Sequence, residues 1–216
     1  MFELAASWVT ISALATAGGT LVLAIATFAS VRSANRAARV AEVSVLSNLR
    51  PLLLPSGLED RRQKVGFMNN DEWLYIEGGR AAARATDTAV LLAMSVRNVG
   101  SGIALLHGWR IFTGNRRDAE QAPPVPEELT RFTRDIYVPA GDIGFWQGTF
   151  RDPTSDGYAT ARRAVEEHQE LVIDVMYGDL EGGQRAVTRF GWIPAGEHDW
   201  IVQAGRVWNI DRADPR

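Results

Sequence analysis

The sequence predicts a mainly β protein: an N-terminal transmembrane helix with a helical stalk, followed by an antiparallel β-sandwich of about eight strands, with a small closed β-barrel as the alternative arrangement of the same strands. Three observations lead there. A long uncharged stretch opens the chain, the apolar period changes from about 3.6 to about 2 after Pro51, and Gly- and Asp-dense breaks separate the extended runs. The resulting divisions are residues 1–31 for the transmembrane helix, 32–50 for a juxtamembrane amphipathic helix and 51–216 for the β domain.

Composition bounds the possibilities. With 46% hydrophobic and 23% charged residues the chain has ample material for a core, which excludes disorder as its main state. The absence of cysteine removes disulfides, thiolate-held zinc and a thiol nucleophile together. A net charge of −3 argues against nucleic acid as a partner, because phosphate contacts need a basic surface.

From Leu4 to Val31 there are 28 consecutive residues without Asp, Glu, Lys, Arg or His. A helix of that length exceeds a hydrocarbon core of about 30 Å. Gly18 and Gly19 interrupt the run and Trp8 suits an interface, so these residues belong to the membrane anchor. The competing reading, a buried helix of a soluble domain, would carry a polar face, and none exists here. A cleaved signal peptide would have basic residues first and a shorter apolar run, whereas the arginines follow this one. Glu3 precedes the span and Arg32, Arg36, Arg39 and Arg50 come after it, an asymmetry that places the N-terminus outside and the C-terminal part in the cytoplasm. No other stretch reaches spanning length, so a single pass is expected.

Arg32, Arg36 and Arg39 fall on one helical face, where they meet the lipid bilayer; topology and snorkelling are the simpler reading, specific lipid recognition the other. Ala34, Ala38, Ala41 and Val45 form a separate apolar stripe, and Pro51 ends the helix by disfavouring helical geometry at Arg50. Within the span Ser12, Thr16, Thr20 and Ala24 repeat every four residues, a row of small side chains that would let two helices approach in a homo-oligomer. Ala-rich spans also contain such spacings by chance.

After Pro51, Val90, Leu92, Met94 and Val96 alternate with Ala89, Ala93, Ser95 and Arg97, the pattern of a strand with one buried face. Ile103, Leu105, His107, Trp109 and Ile111 continue it beyond Gly100-Ser101-Gly102, which reads as a hairpin or bulge. Further runs lie at Phe145–Phe150, Leu171–Tyr177, Gln184–Trp192 and Trp200–Ile210, with weaker ones at Leu52–Leu54, Trp73–Ile76 and Phe132–Val138. The Gly- and Asp-rich segment 178–183 makes Leu171–Trp192 an antiparallel hairpin. Gly57–Glu72 reads as a polar surface loop, Ser155–His168 as a short inserted helix, and the proline-rich Ala119–Glu128 as a connection. Residues 51–216 carry a net charge of −5 and residues 32–50 a net +3, an acidic body on a basic stalk.

No chemistry-bearing constellation stands out. His107, His168 and His198 have no partner at helical ligand spacing, so no metal site is expected. Asp142 and Asp179 follow glycines at turns, where Asp normally bonds its own backbone. There is no phosphate loop or nucleophile elbow, and neither a cofactor nor an enzymatic activity is expected. Trp109, Trp146, Trp192, Trp200 and Trp208 fit the interior of the sandwich better than a ligand pocket.

The apolar helix, Arg50-Pro51-Leu52, the motif Asn98-Val99-Gly100-Ser101-Gly102-Ile103-Ala104, and Tyr177-Gly178-Asp179 together resemble a group of uncharacterised bacterial single-pass membrane-anchored proteins with a C-terminal immunoglobulin-like β-sandwich. That group usually has Pro where this chain has Ile103. The resemblance implies an architecture, with no catalytic residues to carry over, and the location expected from the span and its flanking arginines is a bacterial inner membrane. The expected function is a non-catalytic interaction module that holds a cytoplasmic β-sandwich at the inner face of a bacterial membrane to bind a protein partner. The alternative is a ligand-sensing membrane effector whose β domain controls oligomerisation of the transmembrane helix.

Overall fold

The computed structural model describes residues 2–67, 72–113, 122–182 and 184–211. The start of the expected Ala119–Glu128 connection and Gly183 of the expected turn lie outside the described residues. The chain divides into two compact units, residues 1–47 and 48–216.

The first unit is α1 (Phe2–Asn48), one continuous helix of 47 residues. At about 1.5 Å per residue it measures roughly 70 Å, more than twice a hydrocarbon core of about 30 Å. It is long and apolar enough to cross a membrane.

The second unit is mainly antiparallel sheet. Its elements are β1 (Leu53–Pro55), β2 (Gln63–Phe67), β3 (Glu72–Ile76), β4 (Arg80–Ala85), β5 (Val90–Asn98), β6 (Ala104–Thr113), β7 (Thr130–Arg131), β8 (Tyr137–Val138), β9 (Ile143–Phe150), α2 (Asp156–Glu166), β10 (Leu171–Gly178), β11 (Ala186–Ala195) and β12 (Asp199–Asn209). Ten strands form one sheet and β2–β3 a second. In the large sheet β9, β5, β4 and β1 make one wing and β12, β11, β10, β6, β7 and β8 the other, joined where β4 pairs with the start of β12. The wings share one core that contains Leu92 and Met94 of β5, Trp146 of β9, Ile173 and Val175 of β10, and Phe190 and Trp192 of β11. β9 pairs only with β5, and β7 and β8 only with β6, so the sheet does not close into a barrel among the described residues.

The hairpin Leu171–Trp192 forms in the expected register, with Leu171 opposite Trp192. α2 also forms: the Ser155 hydroxyl accepts from the Tyr158 N–H at 3.2 Å, a side-chain N-cap, and Tyr158, Ala161 and Ala164 enter the core. Four tryptophans make a chain through the interior, edge-to-face for Trp109–Trp146 and Trp146–Trp192 with ring centroids 5.2 and 6.1 Å apart, and tilted for Trp192–Trp200 at 6.0 Å.

Four details depart from expectation. The described residues hold twelve strands rather than about eight, and β2, β4 and β7 are those that no expected run covers. Gly57–Glu72 is not all loop, since β2 lies within it and pairs with β3. β5 is buried on both faces: Val90, Leu92, Met94 and Val96 face the main core, while Leu91 and Ala93 pack under the β2–β3 hairpin with Val65, Phe67, Leu74 and Ile76. Gly100-Ser101-Gly102 makes no hairpin, because β5 and β6 lie in different wings and share no ladder.

Candidate functional site

The residues of Asn98–Gly102 act on the segment that opens the domain. Asn98 is fully buried; its Oδ1 accepts from the N–H of Leu52 at 3.1 Å and of Gly100 at 3.0 Å, and its Nδ2 donates to the carbonyls of Gly102 at 2.7 Å and Val138 at 3.0 Å. Backbone bonds from Val99 N to Leu52 O and from Ser101 N to Arg50 O complete the clamp. A Cβ on Gly100 would lie 2.4 Å from Arg50 O, and one on Gly102 1.7 Å from Leu49 O, so both glycines serve close backbone approach. The Arg50 guanidinium reaches Asn209 Oδ1.

Tyr177 belongs to the same region. Its hydroxyl is 2.9 Å from Thr188 Oγ1, which donates to Leu53 O at 3.1 Å. Burial pushes its phenol pKa above the usual value. The three motifs singled out in the sequence therefore meet around residues 50–53 as a structural collar, with no reactive group among them.

On the outer face of β6, β10 and β11 lies a buried ion triad. Asp174 accepts from Arg189 at 2.7 and 2.8 Å and from Arg110 Nε at 2.9 Å. Arg189 stacks 4.8 Å from Trp208 and 5.1 Å from Phe112. Every partner in this cluster belongs to the fold, so the triad reads as a structural brace.

The β2–β3 hairpin carries an exposed aromatic face. Trp73 and Tyr75 are each about half exposed. Lys64 Nζ sits 4.0 Å from the Trp73 ring and the Arg62 guanidinium 4.4 Å from Tyr75. Gly66 is roofed by Trp73, whose ring would meet a Cβ there at 2.7 Å.

Between the free edges of the two wings is a cleft of about 290 Å³. Thr130, Arg131, Phe132, Thr133, Arg134 and Ile136 line one side, Gln147, Gly148, Thr149 and Arg151 the other, with Trp109 and Phe67 completing it. Arg134 reaches across to Gln147 Oε1 at 2.6 Å.

The residues expected to anchor the protein, Trp8, Gly18, Gly19, Arg32, Arg36 and Arg39, all lie on α1, where Trp8 is exposed and nothing lies within 4 Å of a Cβ built on either glycine. Along the small-residue row, Thr16 Oγ1 donates to Ser12 O at 2.8 Å and Thr20 Oγ1 to Thr16 O at 2.7 Å, which leaves these hydroxyls as acceptors toward any neighbour; Ala24 follows one turn on.

The histidines stand apart. His107 is half-buried, and burial first, then the Arg185 charge, lowers its pKa from 6.5. His168 Nε2 lies 2.9 Å from Asp199 O, with its ring against Trp200. Among the described residues no group of three His, Cys, Asp or Glu could hold a metal ion. Asp142 caps a backbone N–H at Ile143 as expected at 2.7 Å, whereas Asp179 instead accepts from the Gln184 side chain at 2.8 Å.

Sequence reasoning missed the cleft and the triad. Their residues are scattered along the chain and come together only through sheet pairing. The clustering of Thr130, Arg131, Thr133 and Arg134 within five positions was the one local signal of the cleft. The chain matches no protein-family model, no curated protein and no solved structure.

Proposed function

We propose that this chain is a membrane-anchored, non-catalytic interaction module. α1 spans the inner membrane of a bacterium once, with its N-terminus outside, and the β domain stays in the cytoplasm, where it docks a protein partner. The charge asymmetry around the span supports the orientation. An immunoglobulin-like sandwich is the reading of the two wings, supported by their antiparallel strands packed over one tryptophan-rich core.

The observation that carries docking is the hairpin face of Trp73 and Tyr75 stacked with Lys64 and Arg62. Half-exposed Trp and Tyr beside cationic side chains match the residue types that dominate protein interfaces. The other tryptophans of the domain fill its interior, so this exposed pair is set apart. The test is affinity capture of the intact protein from its native membranes in detergent, alongside Trp73→Ala/Tyr75→Ala. A protein recovered with the natural chain and lost with the variant is the expected result. Recovery of lipids and further copies of the chain alone contradicts docking.

A second reading is favoured by the Arg-lined cleft: a ligand-sensing effector in which occupancy of the β domain governs self-association of α1 through Ser12, Thr16, Thr20 and Ala24. Crosslinking that depends on a bound ligand distinguishes it from docking.

A further inference from the structure

We propose that the cleft between β7 and β9 is a binding site for a small phosphate-bearing molecule with an apolar ring, an inference that goes beyond the docking function and stands whether or not a protein partner exists.

Charge comes first. The domain from residue 51 onward carries a net −5, yet among the described residues this cleft is lined by Arg131, Arg134 and Arg151 and by no Asp or Glu. Arg131 and Arg134, both exposed on one side of this cavity, are like charges, and an anion placed beside them relieves their repulsion. Asp135 and Asp152, next to Arg134 and Arg151 in sequence, are engaged elsewhere: Asp135 accepts from the Tyr137 hydroxyl at 3.0 Å, and Asp152 from the Thr154 N–H at 2.9 Å and its hydroxyl at 2.6 Å. Arg131 has no ion-pair partner among the described residues, and Arg134 is held by the neutral Gln147 at 2.6 Å, which aims it across the opening without neutralising it. Guanidinium forks match phosphate oxygens in pairs, and hydroxyls of Thr130, Thr133 and Thr149 add donors around them.

The strands make the site an edge feature. Consecutive residues Gln147, Gly148 and Thr149 of β9 all line it, although neighbouring side chains in a strand point to opposite faces. The cleft therefore runs along the edge of β9 away from β5, where the outward backbone has no sheet partner among the described residues. Across from it, β7 is held by the pairs Gly108–Arg131 and Trp109–Thr130.

The apolar side of the cleft comes from Trp109, Phe132, Ile136 and Phe67. Gly148 keeps that wall smooth: a Cβ there would meet Trp146 at 2.8 Å and Trp109 at 3.0 Å. An aromatic wall facing a cationic rim accommodates a flat ring that carries a phosphate, and a bare anion would leave the wall unused.

The test is calorimetric titration of the full chain in phosphatidylcholine nanodiscs with phenyl phosphate, inorganic phosphate and phenol. Phenyl phosphate is expected to bind saturably at one site, about tenfold or more tighter than inorganic phosphate, with phenol giving no saturable heat. Arg131→Gln and Arg134→Gln should each weaken phenyl phosphate about tenfold at unchanged melting temperature, and Arg163→Gln, exposed on α2 outside the cleft, should not. Repeating the titration in discs containing phosphatidylglycerol separates the sources of the phosphate: binding lost there marks a lipid headgroup as the competing occupant, and binding retained marks a soluble ligand. The proposal is overturned if phenyl phosphate shows no saturable heat up to about 10 mM, if phenol binds as tightly, or if both cleft variants bind like the natural chain.

Discussion

Replacing Asn98 by Ala tests the collar that begins the domain. The side chain is fully buried and satisfies two backbone donors, Leu52 N–H at 3.1 Å and Gly100 N–H at 3.0 Å, and two acceptors, Gly102 O at 2.7 Å and Val138 O at 3.0 Å. A donor orphaned in the interior costs about 1–3 kcal/mol, so two would cost about 2–6 kcal/mol. Leu52 and Gly100 are only half-buried and water reaches part of the gap, which brings the expected loss to about 3 kcal/mol. Against a total stability of about 5–15 kcal/mol this is a large fraction. With a urea dependence of about 2 kcal/mol per M, the unfolding midpoint should fall by about 1.5 M. Urea titration of the detergent-solubilised chain, followed by tryptophan fluorescence, reads it directly. Asn98→Asp keeps the acceptor but turns a carboxylate toward two carbonyls, and should be at least as damaging at neutral pH. An Asn98→Ala midpoint within about 0.3 M of the natural chain would refute the collar as a source of stability.

Asp174→Asn removes the carboxylate facing the buried Arg189 and should cost about 3–5 kcal/mol by chemical denaturation, much of which Asp174→Leu/Arg189→Met restores. Gly102→Ala should abolish cooperative unfolding in circular dichroism melts, because its Cβ would fall 1.7 Å from Leu49 O. By contrast Gly141→Ala, in open space at φ +72°, should cost only about 1 kcal/mol. His107 takes up a proton less readily in the folded chain than its ordinary 6.5, so the unfolded chain binds more protons between the two values. Stability is then full above pH 6.5 and declines as pH falls from 6.5 toward the lowered folded value; His107→Gln should flatten that limb of a stability-versus-pH curve.

What the sequence reveals is what local physics writes into it. The uncharged run of α1, the Ser155 cap of α2 and the Gly- and Asp-rich turn after Tyr177 each depend on residues a few positions apart, and each is found where it is expected. β2 escaped notice because Gln63-Lys64-Val65-Gly66-Phe67 has a glycine where a breaker is read, and the reason for Gly66, the roofing ring of Trp73, arrives only with hairpin pairing. Leu91 and Ala93 look like the lesser face of β5 until that hairpin covers them. The collar motif is visible as letters, but its role is not: Gly100 and Gly102 read as a turn and turn out to admit the backbone of residues 49–52. The cleft is the least legible feature, since Arg131 and Gln147 meet across it through the pairing of β7 on β6 and of β9 on β5.

The proposed arrangement has α1 crossing the bilayer once and the β domain on the cytoplasmic side. Because the chain has no cysteine, single-cysteine variants report position without background. Glu3→Cys and Asp87→Cys, treated in intact cells with a membrane-impermeant maleimide, test it most directly. Labelling of position 3 in intact cells and of position 87 only after lysis is the predicted outcome. Labelling of position 87 from outside, or recovery of the protein in the soluble fraction without detergent, would contradict it.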